Sequence, residues 1–141
     1  MQWKMDKKRI LSKIDELDLY LSEIESVMPS NFEDYKSSIE KKRACERLLQ
    51  ISVEVVIDVC NLIVSELKLG LPADEDDIFN KLESKKLISK NLGKILKNMK
   101  GFRNILVHKY GTVDDELVFE ILMEKLGDFD EFKKQILIII G

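Results

Sequence analysis

The sequence predicts an all-α fold, an antiparallel bundle of about five helices in one domain spanning residues 1–141. Apolar residues recur at spacings of three and four along most of the chain, the period of a helix with one buried face. Only six Gly and two Pro are present, too few for the many tight turns of an all-β chain of this length. A composition 45% hydrophobic and 35% charged supports a packed core beneath a solvated shell and argues against disorder.

The first helix is expected from Asp6 to Met28, because Ile10, Ile14, Leu17, Leu21, Ile24 and Met28 share a face. Pro29, Ser30 and Asn31 end it. A second helix is expected to start with Ser30 or Asn31 as its N-cap and to run to Leu69, where Gly70 and Pro72 stop it. Its Val- and Ile-rich centre imitates a strand, but its polar residues keep a helical period: Arg47, Gln50, Glu54, Asp58 and Asn61 fall within about 80° on a helical wheel. That stripe reads either as a solvent-facing edge or as the lining of a groove or subunit interface, with Arg47, Glu54 and Asp58 as its charged members.

Beyond Asp74 the pattern predicts a short, acid-capped helix over Ile78 to Leu82. The next helix begins near Ile88 and buries Leu92, Ile95, Leu96, Met99, Phe102 and Leu106. Lys86, Lys90, Lys94, Lys97 and Lys100 follow at spacings of four, four, three and three, which predicts one lysine face opposite the buried one. Gly111 and Thr112 break the chain. A last helix from Asp114 or Asp115 is expected to carry Leu117, Ile121, Leu122, Leu126, Phe129, Phe132 and the apolar tail.

Net charge is -3, which by itself disfavours general affinity for nucleic acid. The distribution is uneven, however. Lys81 to Tyr110 holds nine Lys and Arg against the single acid Glu83, between acidic stretches at Asp74 to Asp77 and Asp114 to Glu131. Cys45 and Cys60 match no metal-ligand spacing and read as buried thiols of a reducing compartment. The N-terminal stretch is amphipathic rather than continuously apolar, and the ending Ile136 to Ile140 is too short for a bilayer, so the expected location is the cytoplasm with no membrane partner.

His108 is the sole histidine, and it lies in Arg103-Asn104-Ile105-Leu106-Val107-His108-Lys109-Tyr110. Arg offers a planar, permanently charged fork that matches phosphate oxygens. His titrates near neutrality, as a general acid or base should. On an ideal helix Arg103 and His108 stand about 140° apart, so one straight helix does not present both to a single phosphate. Either the helix distorts before Gly111 or a second copy of the chain completes a cleft, and the symmetric dimer is the favoured expectation. A lone His at a helix C-terminus is equally explained as a charge placed against the macrodipole. No P-loop, dinucleotide fingerprint, nucleophile elbow or zinc signature occurs, and neither a metal nor a cofactor is expected.

The R-x4-H-x-Y pattern from Arg103 to Tyr110 resembles that of the HEPN superfamily, specifically the HepT-like toxins of HEPN/MNT toxin-antitoxin pairs. Lys42-Arg43-Ala44-Cys45-Glu46-Arg47-Leu48-Leu49-Gln50, followed by Glu54 and Ile57-Asp58, is similar to the second-helix signature of that family, so the likeness covers nearly the whole chain. The resemblance implies a dimeric helical bundle that cleaves RNA without a metal, as in a type VII-like system. It implies Arg103 and His108 as the catalytic pair and Asn104 as a supporting, phosphate-orienting residue. Lys90, Lys94, Lys97, Lys100 and Lys109 become candidate RNA contacts, with tRNA or mRNA as the substrate. It further implies a cognate MNT-type nucleotidyltransferase as antitoxin, which silences the toxin by AMPylation of Tyr110; phosphate charge and bulk beside His108 would repel RNA. The alternative is a non-catalytic helical partner that helps the nucleotidyltransferase bind nucleotide or substrate.

Overall fold

The computed structural model describes residues 5–108 and 113–141. These residues form seven helices and no strand: α1 (Lys7–Ser26), α2 (Phe32–Ser37), α3 (Ile39–Glu66), α4 (Glu75–Ser84), α5 (Lys90–His108), α6 (Asp115–Glu124) and α7 (Gly127–Ile140). The all-α class is as expected, with two helices more than the sequence suggested.

Both additional helices come from breaks that the apolar period passes over. The helix expected from Asn31 to Leu69 is interrupted at Ser38, which adopts extended backbone (φ -109°, ψ 104°) and accepts a hydrogen bond from the Lys41 N–H through its hydroxyl. Ser38 thus ends α2 and caps α3, a competition with helical hydrogen bonding that short hydroxyl side chains favour. The break lets Tyr35 of α2 turn inward against Phe119 of α6, with ring centroids 6.2 Å apart, while Phe32 meets the same ring edge-on at 5.5 Å. The last expected helix also divides, at Lys125 and Leu126 ahead of Gly127, so that Leu122 of α6 and Phe129, Phe132 and Ile136 of α7 all reach the core.

Short polar side chains start α1, α2, α4, α5 and α6, satisfying N–H groups that have no partner within the helix, whereas α7 starts after Leu126 with no side-chain cap. Asp6 caps α1, Asn31 caps α2, Asp74 caps α4 and Asp114 caps α6. The Ser89 hydroxyl accepts from the Leu92 N–H at the start of α5. At α4 the cap is reciprocal: Asp74 accepts from the Asp77 N–H, while the Asp77 carboxylate accepts from the Ala73 N–H. This stabilises α4 from Glu75 to Ser84, longer at both ends than the apolar residues alone suggest.

α3 is the central element. It packs against α1, α2, α4, α5 and α6, and twelve of its residues are buried, from Cys45 to Val64. By length and composition α3 could cross a membrane, yet 56% of its most apolar window is covered by the surrounding helices, which is how a core helix buries a continuous apolar surface. α4 and α5 lie beside it and contact each other, and α7 closes over α5. An ion pair of 2.7 Å between Lys133 and Asp18 ties α7 to α1.

Candidate active site

α5 carries both Arg103 and His108 and stays helical through His108. Of the two ways to bring the pair together, distortion of the helix is therefore not used within the described residues. Five residues at 100° each leave the side chains about 140° apart and about 7.5 Å apart along the axis. Arg103 is turned toward the bundle, its side chain only 14% exposed, whereas His108 stands exposed in the last turn.

The surroundings of Arg103 are acidic. Its guanidinium donates to the Glu75 carboxylate in the first turn of α4 and lies 3.9 Å from the Glu54 carboxylate on α3. Its Nε donates to Asn104 Oδ1 at 3.0 Å, and Gln50 Nε2 donates to Glu54 at 3.3 Å. One turn earlier Lys100 pairs with Asp76 at 2.8 Å. Three carboxylates thus face two cations where α3, α4 and α5 meet. The helix dipole already favours acids in the first turn of α4, so these residues satisfy a local and a long-range demand at once.

The lysine face divides. Lys90 and Lys94 are exposed and Lys97 is half-buried, while Lys100 is turned toward α4. Lys86, expected to begin this face, lies outside α5 in a left-handed turn (φ 57°) closed by the Leu87 N–H to Leu82 C=O bond of 3.0 Å. The polar stripe of α3 divides too. Arg47 and Asp58 are exposed, Asp58 stands 3.7 Å from Lys13 of α1, and only Glu54 reaches Arg103. Lys109 and Tyr110 lie outside the described residues.

Glu75 and Asp76 were not singled out from the sequence as part of the site. Their run of acids was visible, but its only local meaning is a helix start. Among the described residues no group of three or more His, Cys, Asp and Glu is placed to hold a metal ion. Burial pushes the Cys45 thiol up to about 11 and raises that of Cys60 as well, so neither is poised as a nucleophile.

The family described as Ribonuclease HepT-like matches residues 17–136. The chain is similar to a tRNA nuclease HepT from Aphanizomenon flos-aquae, 29% identical over 127 residues that cover 90% of this chain and 86% of that protein. It is 37% identical over 84 residues to an mRNA nuclease HepT from Shewanella oneidensis, covering 60% and 63% of the two chains. Among solved structures it resembles a tri-AMPylated Shewanella oneidensis HEPN toxin in complex with an MNT antitoxin. There the TM-score is 0.84 at 29% identity, over 92% of this chain and 96% of that one.

Proposed function

This chain belongs to the HepT-like ribonuclease family, and from that premise we propose that it is the RNA-cleaving toxin of an HEPN/MNT toxin-antitoxin pair, with Arg103 and His108 as its catalytic groups. The observation that carries the reading is the placement of this pair on one uninterrupted helix, Arg103 held by hydrogen bonds and His108 open to solvent.

In the proposed reaction His108 takes a proton from the ribose 2′-hydroxyl, whose oxygen attacks the adjacent phosphorus, or returns one to the departing 5′-oxygen. Arg103 neutralises charge on the phosphate as the bond to the leaving oxygen breaks. Neither step requires a metal. Because the two side chains diverge by about 140° around one helix, the proposed site is completed across a homodimer, in which Arg103 of one subunit meets His108 of its partner. Asn104, hydrogen-bonded to Arg103, orients the guanidinium, and Lys90, Lys94 and Lys97 attract the RNA backbone. Tyr110, two residues beyond His108, is the proposed acceptor of AMP units from the nucleotidyltransferase.

The test is incubation of unmodified protein with tRNA and with mRNA in EDTA, beside Arg103→Ala and His108→Ala, with the mass of the Tyr110 peptide checked for adducts. Cleavage in EDTA that both variants lose is the expected result. Intact RNA with unmodified protein, together with nucleotide binding only in the presence of the nucleotidyltransferase, would favour the non-catalytic alternative.

A further inference from the structure

Among the described residues, Lys13, Lys41, Lys42, Lys100, Arg103 and Lys133 each stand within 4.0 Å of a carboxylate on another helix, and Lys81 stands within that distance of one on its own. At the opposite end of α5 the pattern reverses. The turn between α4 and α5, the first turns of α5 and the face of α7 enclose an open cleft of about 950 Å³. Lys86, Lys90, Lys97 and Lys134 line it against Glu83 and Glu131. None of those four lysines is in an ion pair among the described residues.

The cleft is braced. Gln135 of α7 accepts from the Ser89 N–H at 2.9 Å and donates to the Ser89 hydroxyl at 3.0 Å, which fixes the start of α5 against α7. It is also continuous with the candidate active site along one line of α5. Lys90, Lys94, Lys97, Gly101 and His108 fall within about 60° on the helical wheel. At Gly101 an added Cβ would meet nothing within 4 Å, so the surface between lysines and histidine is low and open.

We propose that this cleft is a second phosphodiester site, which holds the RNA backbone at a distance from the scissile bond and thereby selects long RNA over short. The inference rests on the proposed nuclease reading for its substrate class. Lys97 and Lys90 lie about 16 and 27 Å along the axis from His108, a span of roughly five to eight phosphates at about 3.4 Å per nucleotide of a stacked strand. A protein partner would also be drawn to lysines, but the unbroken line to His108 favours the strand being cut. Cations from three elements around a concave surface suit a curved polyanion better than a flat acidic surface.

The experiment measures binding of a 4-nucleotide and a 12-nucleotide RNA to the His108→Ala protein, which keeps the RNA intact, at several salt concentrations. The unaltered cleft is expected to bind the longer RNA more tightly. Lys86→Glu/Lys134→Glu should remove that advantage by about tenfold or more and make the log–log salt slope of the 12-mer shallower by about two. A control pair, Lys8→Glu/Lys36→Glu, reverses two exposed lysines away from the cleft and should leave the length preference intact. Unchanged preference in the cleft variant, or equal loss in the control, would overturn the proposal. If protein that retains His108 leaves RNA intact in the EDTA assay while length-dependent binding is still lost only in the cleft variant, the cleft stands and the nuclease reading fails.

Discussion

The guanidinium of Arg103 is bound to the carboxylate of Glu75, a residue of another helix 28 positions earlier in the chain. With Glu54 on its other side, the arginine proposed to neutralise a phosphate is already neutralised by protein. An incoming phosphate must therefore compete with carboxylates that occupy the same fork. Glu75→Gln keeps the shape of the side chain and removes the competing charge. The expected outcome is tighter RNA binding by about fivefold, the equivalent of roughly 1 kcal/mol for a partly exposed pair. Affinity measured in the His108→Ala background checks it, and weaker binding would mean that Glu75 serves instead to position Arg103.

Ser38 separates two helices that the apolar pattern joins. Ser38→Ala removes the hydroxyl that accepts from the Lys41 N–H, a loss of about 1 kcal/mol. Thermal unfolding should move down by roughly 2–4 °C. If helicity instead rises with no loss of stability, α2 and α3 have fused and the cap is not what keeps them apart.

α1 is held to α3 by a row of buried side chains, among which Leu17 is 0% exposed. Leu17→Ala is expected to destabilise by about 3 kcal/mol through lost burial and the cavity left behind. Urea denaturation should show an earlier midpoint with an unchanged slope. A cost below about 1 kcal/mol would place Leu17 at a site able to collapse around the smaller side chain.

Cys45 and Cys60 are both buried, and burial raises both thiols above their ordinary value. The folded state therefore holds these protons more tightly than the unfolded chain. Their contribution is complete below the unfolded value of about 8.5 and is lost as pH rises toward the folded one, about 11 for Cys45. Stability should fall between pH 8.5 and 11, with a shallower fall in Cys60→Ala. At pH 8 neither thiol should react with a disulfide reagent until urea unfolds the chain; prompt reaction of either in the native protein would contradict the burial.

The amino-acid sequence by itself determined what short-range chemistry controls. The apolar spacings of Ile10 to Ile24 and of Leu92 to Phe102 correspond to the buried faces of α1 and α5, and Asp6, Asn31, Asp74 and Asp114 start helices as their side chains dictate. The Arg103 to Tyr110 pattern was legible for the same reason, since residue types and spacing are written along one segment, and the family to which it pointed is the one to which the chain belongs. Tertiary packing decided the rest. Whether a chain bends at Ser38 or ahead of Gly127 depends on whether bending buries Tyr35, which packs against Phe119 far along the sequence, and Phe132, which is fully buried. That Glu54 and Glu75 converge on Arg103, while Lys86 and Lys134 meet at an open cleft, follows from how α3, α4, α5 and α7 dock. Acids at a helix start and lysines on a helix face look alike in sequence wherever they point; only the packing of neighbouring helices determines which charges meet a partner and which are left open.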